Sequence, residues 1–141
     1  MVNDPFDLQR FVDAQNPVYA QVRAELRNGR KEGHWIWFIF PQLRGLGHRP
    51  MATTLGIGSR EAAEAYLAHP ILGPRLRDCT GLLNSIDGRS ISQIVGYPDD
   101  LKFRSSMTLF ASVAAEDDGP FRDALMKYFG GEPDPLTLER L

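Results

Sequence analysis

A lone cysteine, Cys79, cannot close an internal disulfide, which excludes the disulfide-stapled scaffolds and fits a reducing cytosol. Long apolar runs are missing too. The longest uninterrupted one, Trp35 to Phe40, falls far short of the roughly 20 residues that span a bilayer, so no membrane association is expected. The N-terminus carries Asp4 and Asp7 and no basic-then-apolar segment, so no secretory signal is expected and a cytoplasmic location is. Neither sign of charge dominates: 16 Lys and Arg against 18 Asp and Glu leave a net charge of −2. That balance disfavours a dedicated nucleic-acid binder. The P-loop, the H-E-x-x-H zinc motif, the G-x-S-x-G elbow and a complete dinucleotide fingerprint are all absent. The histidines, at 34, 48 and 69, have no metal-ligand spacing, and neither a metal nor a cofactor is expected.

What is present is a core-forming composition. Apolar residues make up 43% and charged residues 24% of 141 positions, the size of one ordinary domain spanning 1–141. Helix punctuation recurs along it. Asp4-Pro5, Asn16-Pro17 and Ser59 read as N-caps, Ser90 with Gln93 as a capping box, and Gly29 and Gly130 as stops. Apolar residues at three- and four-residue steps follow these starts, as in Leu76, Cys79, Leu83, Ile86 and in Phe103, Met107, Phe110, Ala114. The pattern predicts an all-α array of about seven short helices. Trp35 to Phe40 is ambiguous between strand and buried helix, although Pro41 ends any helix there. Residues 41–58, rich in Gly and Pro, read as a loop. Phe11, Val22, Leu26, Trp37, Leu76, Leu83, Met107, Phe110, Leu125 and Phe129 are expected in the core.

Chemistry concentrates at 33–47. Both tryptophans, Trp35 and Trp37, lie here beside His34 and Gln42. Indole and imidazole offer flat faces, and a glutamine amide pairs with a base or amide edge. The plain alternative is a core segment whose indole N–H groups find backbone acceptors. A second polar cluster, from Asp99 to Thr108, places Lys102 and Ser105 on one helical face, where they could hold an anion. A solvated, capped face is the alternative. Arg75 sits near a helix start, where positive charge opposes the macrodipole and a negative partner is expected. Cys79 lies on an apolar stripe and reads as an inert buried thiol.

The stretch His34-Trp35-Ile36-Trp37-Phe38-Ile39-Phe40-Pro41-Gln42-Leu43-Arg44-Gly45-Leu46-Gly47 resembles the signature of the family called domain of unknown function 1810. Tyr66-Leu67-Ala68-His69-Pro70, Leu72-Gly73-Pro74-Arg75-Leu76 and Lys102-Phe103-Arg104-Ser105-Ser106-Met107-Thr108-Leu109-Phe110 extend the resemblance over nearly the whole chain. It implies a small all-helical fold and carries no established activity. The calpastatin label often attached to the family implies protease inhibition, which this short, core-forming chain does not fit. A fainter likeness is to a family proposed to handle NAD and ADP-ribose derivatives.

Two readings of function follow. In the first, an enzyme or sensor binds a small anionic ligand, such as a nucleotide or ADP-ribose derivative, in an aromatic-lined pocket. Trp35, Trp37, Gln42, Arg75, Lys102 and Ser105 would bind it. His34, His69 and Glu61 are the candidate acids and bases, an imidazole titrating at about 6.5. His34, Gln42, His69, Arg75 and Lys102 are expected around one cleft. In the second, the chain is a non-catalytic protein-interaction module using exposed aromatics. Convergence of those polar groups on one cleft separates the two.

Overall fold

The computed structural model describes residues 3–45 and 55–141. Among them are nine helices and no strand, so the fold is all-α with slightly more helices than the sequence pattern suggests. They are α1 (Gln9–Gln15), α2 (Tyr19–Arg27), α3 (Ile36–Ile39), α4 (Arg60–Ala68), α5 (Leu72–Asn84), α6 (Ile91–Val95), α7 (Asp99–Val113), α8 (Pro120–Phe129) and α9 (Pro135–Arg140). Extended pairing among the described residues is limited to one isolated parallel bridge, Leu43 with Ile57. No described helix is long and apolar enough to cross a membrane. His48 and Gly47 lie outside the described residues.

The punctuation works as chemistry. Ser59 Oγ accepts from Ala62 N at 3.1 Å and starts α4. Ser90 and Gln93 form the reciprocal capping box of α6. Gly130 takes the left-handed conformation (φ 62°) that closes α8. Trp35 to Phe40 becomes one helical turn, and Phe40, held out of the helical region by Pro41, ends it. Gly73 lets α5 approach the end of α4, because a Cβ there would fall 2.2 Å from Leu67 O.

α5 and α7 form the centre. α4 and α8 pack on both, α2 packs on α5, α6 and α9 pack on α7, and α3 bridges α5 and α7. α7 is buried on all sides from Ser105 to Phe110. Its hydroxyls cross the core by bonding the preceding turn: Thr108 Oγ1 donates to Arg104 O at 2.8 Å, and Ser112 Oγ to Thr108 O at 2.7 Å. Phe11, Val22, Leu26, Leu76, Leu83, Met107, Phe110 and Leu125 are buried as expected, whereas Trp37 and Phe129 are only half-buried. Cys79 is buried among apolar groups, and burial pushes its thiol up to about 12, so it stays protonated and inert.

One α7 hydroxyl breaks the pattern. Among the described residues Ser106 Oγ is buried without a hydrogen-bond partner. Removing an unpaired polar atom gives back its desolvation cost. Ser106→Ala should therefore keep or raise stability, by up to about 1 kcal/mol in urea denaturation. A loss above 1 kcal/mol would show that the hydroxyl has a partner.

Candidate functional site

A cleft of about 300 Å³ opens between the start of α7, the α3 turn and α9. Its apolar walls are Trp37, Pro98, Leu101 and Leu136, and its polar groups are Gln42, Lys102, Arg104, Ser105 and Asp134. Local structure explains how these meet. Lys102 lies one turn into α7 and projects across the indole of Trp37, its ammonium 3.8 Å from the ring centre. Gln42 follows the Pro41 break, its backbone oxygen fixed by Ile57 N at 2.8 Å. Its side-chain amide makes no hydrogen bond to a described residue and faces the cleft.

The electrostatics centre on Asp99, in the first turn of α7, where a carboxylate is favoured. One of its oxygens is 3.3 Å from Lys102 Nζ, and the other is 2.8 Å from Lys31 Nζ. Lys31 also donates to Gly33 O at 2.5 Å and lies 5.1 Å from the Trp35 ring centre. Two lysines thus share one carboxylate, each against one of the two tryptophans. Their side chains are 6% (Lys31) and 19% (Lys102) exposed, and that of Asp99 18%.

The opposite wall is self-contained. Asp134 Oδ2 caps α9, accepting from Thr137 N at 3.1 Å and Thr137 Oγ1 at 2.6 Å. Ser105 Oγ lies 3.1 Å from both Asp134 Oδ2 and Leu101 O, and its single proton serves one at a time. Arg104 donates to Glu132 O and Pro133 O, each at 3.1 Å.

The cleft gathers Trp37, Gln42, Lys102 and Ser105 of the residues singled out from the sequence. The others do not line it, so of the five polar residues expected around one cleft only Gln42 and Lys102 meet there. Trp35 is buried, and its indole N–H donates to Glu25 Oε1 at 2.9 Å. His69 Nδ1 accepts from Ile71 N at 3.1 Å and Leu72 N at 3.2 Å, capping α5. Arg75 donates to Gln15 Oε1 at 3.3 Å and stacks 4.6 Å from the Tyr19 ring centre, which supplies the electron-rich partner its position calls for. Glu61 is exposed in the first turn of α4, and His34 is exposed ahead of α3. Lys31, Asp134 and Leu136 escaped the sequence reading. Asp134 carried a signal, as a cap before Pro135, while nothing in the local sequence marks Lys31.

A second opening, about 570 Å³, lies beside α4 and is lined by Phe6, Asp7, Arg10, Arg44 and Ser59 among others. Arg10 is used there to tie the N-terminal segment down, donating to Phe6 O at 2.6 Å and Gly56 O at 2.8 Å. Among the described residues no group of three or more His, Cys, Asp or Glu is placed to hold a metal ion.

The model of the family described as protein of unknown function (DUF1810) matches residues 5–141. The chain belongs to this family. A solved structure, that of the conserved hypothetical protein Rv1873 from Mycobacterium tuberculosis, is 59% identical and has a TM-score of 0.95, with 98% of each chain covered. No curated protein matches the chain. The family is one of unknown function, so chemistry must be argued from the residues of the cleft.

Proposed function

We propose that this chain binds a small anionic molecule in the cleft between α3, α7 and α9. One observation carries the reading: Asp99 is shared by two lysines, so the ammonium of Lys102 reaches the cleft only partly neutralised. Lys102 supplies the charge, the Gln42 amide a polar edge, and Trp37, Pro98 and Leu101 an apolar wall. About 300 Å³ is the lower end of the range for ligand pockets, roughly 300–1,000 Å³. It suits one ring with one charged group, up to the scale of a mononucleotide. An ADP-ribose derivative would project beyond it. Binding is supported better than catalysis. The carboxylate in the cleft, Asp134, is occupied with capping, and His34, His69 and Glu61 lie elsewhere.

A protein-contact role has its own support. Leu101 and Leu136, on the cleft rim, are 49% and 58% exposed, and Tyr97 beside Pro98 is 78% exposed.

Thermal unfolding with AMP tests the first reading. A ligand at a hundredfold excess over its Kd adds about 2.7 kcal/mol, a rise of roughly 5–10 °C for a chain of this size. Lys102→Ala should abolish that rise. Its own melting temperature should stay within about 3 °C of wild type, because Asp99 keeps Lys31. No shift of the wild type by any anion, together with unfolding of Lys102→Ala, would make Lys102 a structural residue and end the reading.

A further inference from the structure

The charge of the cleft can be followed group by group. Lys31, Asp99 and Lys102 form a row of cation, anion and cation, linked at 2.8 and 3.3 Å. The row is largely withdrawn from solvent and ends at the cleft on Lys102. The other charged lining groups are Arg104 and Asp134, one of each sign, the first bound to carbonyls of the α8–α9 connection and the second to Thr137 of α9. Glu132, 3.9 Å from Arg104, is 81% exposed and solvated. Glu25, which shares Gly33 and Trp35 with Lys31, forms no ion pair among the described residues; its carboxylate is taken up by Glu32 N, Gly33 N, Trp35 Nε1 and Gln21 Nε2. Among the ion-paired row and the cleft wall one positive charge is left over, and it belongs to Lys102.

Resting on the reading above, we infer that the ligand is a flat aromatic or heteroaromatic monoacid. Its carboxylate lies against Lys102 and its ring against Trp37, Leu101 and Leu136. A single carboxylate extends the row to alternate cation, anion, cation, anion and balances the charge of the row. A dianion overshoots by one charge beside side chains that are only 6–19% exposed. A neutral amide leaves the lysine unanswered. The volume agrees, since one ring and one carboxylate suit a cleft of about 300 Å³. Lys31 is in this view a positioning residue. It does not line the cleft, yet it occupies half of Asp99 and so leaves Lys102 free to hold an external acid. Without Lys31, Asp99 would neutralise Lys102 outright.

The test compares probes that share a ring: benzoate, phenyl phosphate and benzamide, with AMP as the larger anion. Binding is followed through the indole N–H resonances. Trp35, whose N–H is held by Glu25, serves as an internal reference for Trp37. Wild type should bind benzoate at least about tenfold more tightly than phenyl phosphate, dianionic above a pKa of about 6, and more tightly than benzamide. Lys31→Met should lose benzoate binding about tenfold or more. Asp99→Asn, which raises the surplus to two charges, should turn the preference toward phenyl phosphate. The wild-type ranking needs no variant, so misfolding of either substitution leaves the inference testable. Equal or tighter binding of phenyl phosphate or AMP by wild type would overturn the monoacid while leaving anion binding intact; equal or tighter binding of benzamide would overturn the anion reading as well. Failure of every anion, AMP included, would overturn both.

Discussion

Phe110→Ala should cost roughly 3–5 kcal/mol, about a fifth or more of the stability of an ordinary domain. Phe110 is fully buried in the last turn of α7. Its ring lies 5.3 Å from Tyr66 and 5.8 Å from Phe121, and Tyr66 continues the row to Phe11 at 5.3 Å. The row therefore joins α1, α4, α7 and α8. Truncation removes the transfer free energy of the ring and leaves a void among residues that other contacts hold in place. Tyr66 cannot swing in to fill it, because its hydroxyl accepts from Gln15 Nε2 at 3.1 Å. The urea midpoint should fall with little change in slope. A loss below about 1 kcal/mol would mean that the neighbouring helices close over the gap.

Much of this core was legible in the sequence, because caps and apolar steps are local. Ser59, Ser90 and Gly130 act where their chemistry places them. Boundaries were less legible. Asp4 does cap, accepting from Leu8 N at 2.8 Å and Gln9 N at 2.9 Å, but a turn intervenes and α1 starts only at Gln9. α5 begins at Leu72, before Pro74, since proline within the first turn forfeits no intrahelical bond. The type of the Trp35 to Phe40 run could not be read from periodicity, because six consecutive apolar residues have none. The site divides the same way. Lys102 and Ser105 share a face through helical spacing alone, so their juxtaposition was readable. Lys31 reaches Asp99 only because the segment after α2 packs on the end of α6, with Lys31 N donating to Ile94 O at 2.7 Å. That contact depends on the whole fold. The same holds for His69 and Arg75, whose side chains found partners across helix junctions.

Glu25 is the second residue whose loss should be severe. It lies in the last turn of α2 and is 6% exposed. Oε1 accepts from Glu32 N at 2.7 Å, Gly33 N at 2.9 Å and Trp35 Nε1 at 2.9 Å, and Oε2 from Gln21 Nε2 at 2.8 Å. This one carboxylate folds the connection that carries Lys31 and delivers α3 to the cleft. Burial pushes its carboxyl up, but the Gly33, Glu32 and Trp35 donors outweigh that and hold it at about 2, against an ordinary 4.5. The difference corresponds to about 3 kcal/mol of stability. The native value is the depressed one. The stabilisation is therefore complete above pH 4.5 and is lost as pH falls toward about 2. Glu25→Ala should lower stability at pH 7 by about 3–4 kcal/mol, or roughly 10 °C, leaving two backbone N–H groups and an indole N–H without an acceptor. Glu25→Gln keeps one oxygen for those donors but not the charge, so it should lose less at neutral pH. Both variants should lose the part of the acid destabilisation that lies between pH 4.5 and 2. Their gap to wild type should narrow toward pH 2, as urea midpoints at pH 7, 4 and 2 would report. A gap that stays constant with pH would place the stabilising energy in packing and not in the carboxylate.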